Sequence, residues 1–148
     1  MALLVAGLLL CLVLLALSGA RAGRRASDGA VSAQVSHNPA DRASLPDAEE
    51  WYAASCRFAS RQVLGDFSIG GNNISIEMTA ECTSKRRFDV SLYRADGGVE
   101  LVGTIEFMRD GFTLGTWSNV GPGTYRFVLD KAEDGAVVES SSVVVRGW

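Results

Sequence analysis

Histidine is nearly absent from this chain, with His37 the only one in 148 residues. That scarcity removes whole classes of chemistry. No cluster of histidines can hold a metal. A Ser-His-Asp relay would need its base on a segment that reads as unstructured. Cysteine is also scarce, with Cys11, Cys56 and Cys82 the only three. They form no Cys-x-x-Cys pair, which argues against a close-spaced metal or redox motif. No phosphate loop, nucleophile elbow or metal-ligand cluster occurs, so no cofactor is expected. Charge of one sign is lacking too: the formal net charge is −3, and Lys85-Arg86-Arg87 is the one short basic run in the folded part. A nucleic-acid binder needs a basic face, and none is legible. No helical period appears after Ala54. Parallel sheet is thereby disfavoured, because no crossover helix has room.

The one long apolar run is Leu3 to Leu17. At about 15 residues it falls short of the roughly 20 a membrane span needs and fits the core of a signal peptide. Ala20-Arg21-Ala22 supplies a small-x-small cleavage pattern. Residues 1–22 are therefore read as a signal peptide, with a secreted, extracellular product and no stable membrane span after cleavage. The competing reading is N-terminal membrane anchoring by an uncleaved leader, since Arg21, Arg24 and Arg25 follow the run and no cation precedes it. Residues 23–48 are polar, lack aromatics and are broken by Pro39 and Pro46. They are expected to form a disordered linker.

The domain, 49–148, is organised around Asn73 to Cys82. Ile74, Ile76, Met78, Ala80 and Cys82 alternate with Ser75, Glu77, Thr79 and Glu81, the pattern of a strand with one buried face. Ala48 to Ala54 reads as a helical turn capped by Asp47, with Trp51 and Tyr52 as core anchors. Ser55 to Ile69 reads as strand, with a bulge at Gly65-Asp66. Further alternating stretches run Arg87–Arg94, Val99–Phe107, Phe112–Trp117 (Phe112 and Leu114 inward), Tyr125–Asp130 and Val137–Arg146. Gly-rich turns separate them, among them Asp96-Gly97-Gly98, Arg109-Asp110-Gly111, Gly121-Pro122-Gly123 and a hairpin at Glu133-Asp134-Gly135. About seven short strands with turns every 8–12 residues predict an all-β, antiparallel β-sandwich, with a small β-barrel as the alternative.

Gly121-Pro122-Gly123-Thr124-Tyr125-Arg126-Phe127, followed by an acidic Gly turn and a Val-rich last strand, resembles the final hairpin of immunoglobulin-like and fibronectin type III-like modules. The resemblance spans the last 28 or so residues and implies a fold, not an activity. It departs from the antibody pattern, because the candidate sixth strand carries no cysteine.

Few residues remain as candidates for function. In an exported chain Cys56 and Cys82 are expected to form a disulfide. Lys85, Arg86 and Arg87 could dock an acidic partner or an anionic glycan. Trp117 could be a sugar-stacking platform, with core packing as the competing reading. Asn73-Ile74-Ser75 is an N-glycosylation acceptor. The carboxylate pairs Glu49-Glu50 and Glu133-Asp134 have no acid/base partner fixed by spacing. The expectation is a secreted, non-catalytic binding module, an inhibitor or envelope adaptor among the fitting roles. It would act through sandwich-end loops on a protein or carbohydrate partner. The alternative is a small secreted hydrolase using carboxylates.

Overall fold

The computed structural model describes residues 29–47 and 49–148, with the side chains of 49–52 and 54 outside the description. The expected signal peptide therefore lies outside the described residues, and so do the side chains of Trp51 and Tyr52. Nine strands follow one another: β1 (Ser32–Ser36), β2 (Glu49–Phe58), β3 (Arg61–Ile69), β4 (Asn73–Glu81), β5 (Arg87–Arg94), β6 (Glu100–Met108), β7 (Gly111–Ser118), β8 (Gly123–Asp130) and β9 (Val138–Gly147). They form two antiparallel sheets, ordered β1-β7-β4-β9-β2 and β3-β8-β5-β6. Among the described residues each sheet has two edge strands and neither sheet closes on itself, so the molecule is a sandwich and not a closed barrel. Among the described residues no helix is long and apolar enough to cross a membrane.

The pairing has a simple rule. β2 pairs with β9, β3 with β8, β4 with β7 and β5 with β6. One long antiparallel ribbon is folded back at the β5–β6 turn and rolled up, so that successive pairs alternate between the two sheets. That is the jelly-roll arrangement. At the fold-back, Gly97 and Gly98 have φ of 69° and 153°, the left-handed region where a side chain is costly. The immunoglobulin-like resemblance is corrected by this order. β8 and β9 lie in different sheets and do not pair, so Glu133-Asp134-Gly135 sits on a crossover between sheets and not on a hairpin.

β4 is the central strand of the five-stranded sheet. Ile74, Ile76, Met78 and Ala80 are buried between the sheets, as the alternation predicts. They meet Val143 and Val145 of β9 and, across the sandwich, Phe107, Phe127 and Leu129. Burying each such side chain contributes about 1.5–3 kcal/mol. The opposite face of β4 is not solvated as expected. Ser75 and Glu77 are buried as well, because the N-terminal segment lies over them.

Within the stretch 23–48, expected to be a disordered linker, the described residues 29–47 run against this sheet. β1 pairs with β7 in unbroken register from Ser32–Ser118 to Ser36–Leu114. The chain then turns through a 3-10 helix, Pro39–Ser44, capped by the Asn38 side chain and started by Pro39. It crosses the outside of the sheet from the β1 edge to the β2 edge. Arg42 on this strap donates through Nε to Glu77 at 3.0 Å. The predicted helical turn at 48–54 is likewise replaced, since β2 begins at Glu49 and pairs with β9. The bulge at Gly65-Asp66 is present as a register shift between Gly65 and Phe67.

β7 is out of phase with its predicted pattern. Thr113, Gly115 and Trp117 pair with the inward residues Met78, Ile76 and Ile74. A side chain on Gly115 would collide with the Phe107 ring at 2.8 Å, so glycine is required there for sheet-to-sheet packing. Leu114 is buried on the other face.

Candidate functional site

The sandwich has two loop-bearing ends. One carries the β2–β3, β4–β5, β6–β7 and β8–β9 connections, the other carries β3–β4, β5–β6 and β7–β8, and the β1–β2 strap runs over the outer face of the five-stranded sheet. The sequence candidates are divided between them. Lys85, Arg86 and Arg87 lie at the first end. Asp96–Gly98 and Val120–Gly123 lie at the second.

A buried polar hub joins all four connections of the first end. Arg109, buried at the end of β6, donates through Nη1 to Asp134 Oδ2 and through Nε to the Arg87 carbonyl at 3.0 Å. Its backbone N–H donates to the Arg86 carbonyl at 3.0 Å. Lys131, also buried, donates through Nζ to Asp134 Oδ1 at 2.9 Å, to the Ala132 carbonyl at 2.8 Å and to the Ala59 carbonyl in the β2–β3 turn. The Ala136 N–H donates to Asp134 at 3.2 Å. These donors hold the Asp134 carboxyl well below the usual carboxylate range, the Arg109 hydrogen bond first and the Lys131 hydrogen bond next. A buried cation is stable only when paired and hydrogen-bonded, and both are.

Of the basic triplet, Arg86 is exposed and lies 4.0 Å from Asp134. Lys85 is exposed. Arg87 opens β5 and is engaged with Glu106 at 3.0 Å on the four-stranded sheet. The four connections carry Lys85, Arg86, Arg109 and Lys131 against Asp110, Glu133 and Asp134, one cation in excess. Beside this rim is a cavity of about 420 Å³ lined by Cys56, Arg57, Gln62, Glu81, Glu139 and Ser140, among others. The Gln62 side-chain carbonyl is buried there without a hydrogen-bond partner.

Two other candidates are corrected. Trp117 is 0% exposed and packs on the Phe127 ring at 5.5 Å, so it cannot be a sugar platform. The disulfide is absent: Cys56 and Cys82 are both free thiols. Cys56 on β2 and Ala80 on β4 flank Ser140 of β9 on opposite sides. A whole strand therefore separates β2, which bears Cys56, from β4, which ends one residue before Cys82; two strand spacings are about 10 Å of sheet, more than the roughly 7 Å between Cα atoms that a disulfide spans. Burial pushes the Cys56 thiol up to about 11. Asn73 is half-buried at the start of β4, its side-chain amide donating to the Trp148 carbonyl at 3.4 Å.

At the second end, the Tyr125 hydroxyl donates to the Val120 carbonyl at 2.6 Å. Arg94 stacks over the Tyr125 ring at 5.1 Å and donates to the Val120 carbonyl at 2.7 Å. Both groups serve to pin the β7–β8 loop.

Sequence reasoning missed Arg109, Lys131 and Asp134 as a unit. It also missed a row of carboxylates on the exposed face of the four-stranded sheet. Asp89 stands directly opposite Asp130 on one side and Glu106 on the other. Arg61 lies 3.3 Å from Asp130, and Arg87 holds Glu106. Period-two spacing was the available signal for the row, but the register that aligns it is tertiary. Among the described residues no group of three or more His, Cys, Asp or Glu is placed to hold a metal ion.

The fold and this end together define a jelly-roll sandwich with a polar, rigidly tied loop rim. No protein-family model matches the chain, and no curated protein matches it.

Proposed function

We propose that the protein is a secreted, non-catalytic binding module that engages an acidic partner through the rim carrying Lys85 and Arg86. The observation that carries this reading is the Arg109–Asp134–Lys131 hub. It fixes four connections to one another, so the exposed cations project from a preorganised surface, and less ordering entropy is lost on binding. It also leaves three cations, Arg86, Arg109 and Lys131, around one carboxylate. The export part of the reading rests on the leader and its cleavage pattern, since the free cysteines lend it nothing.

The test is capture of partners from native culture medium by immobilised protein, with a Lys85→Ala/Arg86→Ala variant beside the wild type. A partner bound by the wild type, released by salt and lost in the variant supports the reading. A partner retained equally by both moves the site off this rim. The carboxylate row at Asp130, Asp89 and Glu106 is what favours the alternative, a small hydrolase. Turnover of a glycoside substrate, abolished by Asp89→Asn, would replace the binding-module reading.

A further inference from the structure

A sheet edge presents unpaired backbone N–H and C=O groups, and proteins blunt such edges with charges, bulges or proline. Three of the four edges here are blunted. β2 has two breaks in its register with β9 and carries Arg57. β3 has its break at Gly65/Phe67 and carries Arg61 and Asp66. β6 has a break opposite Leu92/Tyr93 and carries Glu100 and Glu106. β1 has none of these devices. Its five pairs with β7 are in continuous register, and Gly29-Ala-Val-Ser-Ala-Gln-Val-Ser36 contains no charge and no proline.

The exposed apolar surface lies on the same flank. The exposed large hydrophobic residues among those described are Val31, Val35, Val63, Val99 and Leu101. All but Val63 belong to β1, β6 or the residues beside them. β1 and β6, edges of different sheets, lie against one another. Apolar side chains gathered beside an open edge mark an interaction surface more than scattered ones do.

We propose that β1 is a dimerisation edge, pairing antiparallel with β1 of a second copy about a twofold axis at Gln34. The strand reads the same in both directions in the sense that matters. Antiparallel pairing about Gln34 sets Ser32 opposite Ser36, Ala33 opposite Val35 and Gln34 opposite itself. Polar residues then face polar ones and apolar face apolar, and a symmetric contact needs this self-complementarity. Because the edge is uncharged, two identical copies meet without like-charge repulsion. The two five-stranded sheets become one continuous ten-stranded sheet. Val31, Val35, Val99 and Leu101 of each copy lie along the joint. This inference is independent of the binding rim, which is at one end of the sandwich and not on this flank.

The experiment is sedimentation velocity of the purified protein over a wide concentration range. A monomer–dimer equilibrium is expected. Gln34→Lys places like charges opposite each other and should weaken the dimer about tenfold or more, as should Gln34→Glu. An equimolar mixture of the two variants should recover the dimer as a heterodimer. Gln34 is exposed on an edge strand, so thermal melting should confirm that both variants fold. Hydrogen exchange on the unmutated protein gives a second readout: backbone amides of 32–36 that face away from β7 should gain protection as concentration rises. A wild type that stays monomeric would overturn the proposal. So would a dimer indifferent to both variants, or a mixture that fails to reassociate.

Discussion

Arg146 Nη1 donates to Glu77 Oε2 at 2.9 Å on the outer face of the five-stranded sheet, and Arg42 from the strap reaches the same carboxylate. The Glu77 side chain is 2% exposed and that of Arg42 is 52% exposed. The two ends of this ion pair therefore differ in worth. Glu77→Ala leaves Arg146 unpaired under the strap and should cost about 3–5 kcal/mol, read from the urea midpoint. Arg42→Ala removes a half-exposed partner and should cost about 1 kcal/mol or less. Equal losses would mean that the strap, and not the carboxylate, is the main stabilising part.

The rim hub should be felt in acid. The folded pKa of Asp134 is depressed, so its stabilisation is fully present above the unfolded carboxylate value of about 3.9. It is lost as pH falls through the lower folded value. Asp134→Asn should lower the melting temperature at neutral pH and flatten its decline below about pH 4. Melting curves at several pH values check both. An unchanged acid slope would show that Asp134 is not the titrating group.

The thiols should behave independently. Cys82 is half-buried and should react with a thiol reagent in the native protein, whereas buried Cys56 reacts only on unfolding. Reductant should leave the melting temperature unchanged. Cys56→Ala should cost about 1 kcal/mol through lost packing, and Cys82→Ala less. Matched losses together with sensitivity to reductant would show a bond between them.

Tyr125→Phe deletes the hydroxyl that donates to the Val120 carbonyl and accepts from Arg94. A loss of about 1–2 kcal/mol is expected in chemical denaturation. A loss below a few tenths of a kcal/mol would show that Arg94 alone holds the loop.

Local signals made much of this fold readable. The alternation of β4 gave its buried face, and glycines with forced φ gave the turns at Asp96-Gly97-Gly98 and Arg109-Asp110-Gly111. What could not be read depends on distant partners. The β2–β3 turn, Ala59-Ser60, has no Gly, Pro, Asn or Asp to announce it. The strap resembled a linker because Arg42 finds its partner 35 residues away in Glu77. On β7 the alternation was visible but its phase was not. Leu114 is buried under the strap, so both faces of that strand are covered and hydrophobicity no longer says which is inside. The jelly-roll order was invisible for a related reason: alternation shows that a strand has a buried face, not which strand lies beside it. The hub at Asp134 failed as a signal because an acidic residue before glycine is what any turn would carry.

The nested pairing also sets a timetable. Only β5 and β6 are neighbours along the chain as well as partners, so their hairpin is the one pair that can close quickly. Each further pair encloses a longer loop, and β2 finds its partner only when β9 exists. β9 lies between β2 and β4, so the five-stranded sheet cannot be completed until the last strand has been made. A chain emerging from a ribosome would keep the edges of β2 and β4 open until β9 had followed them out.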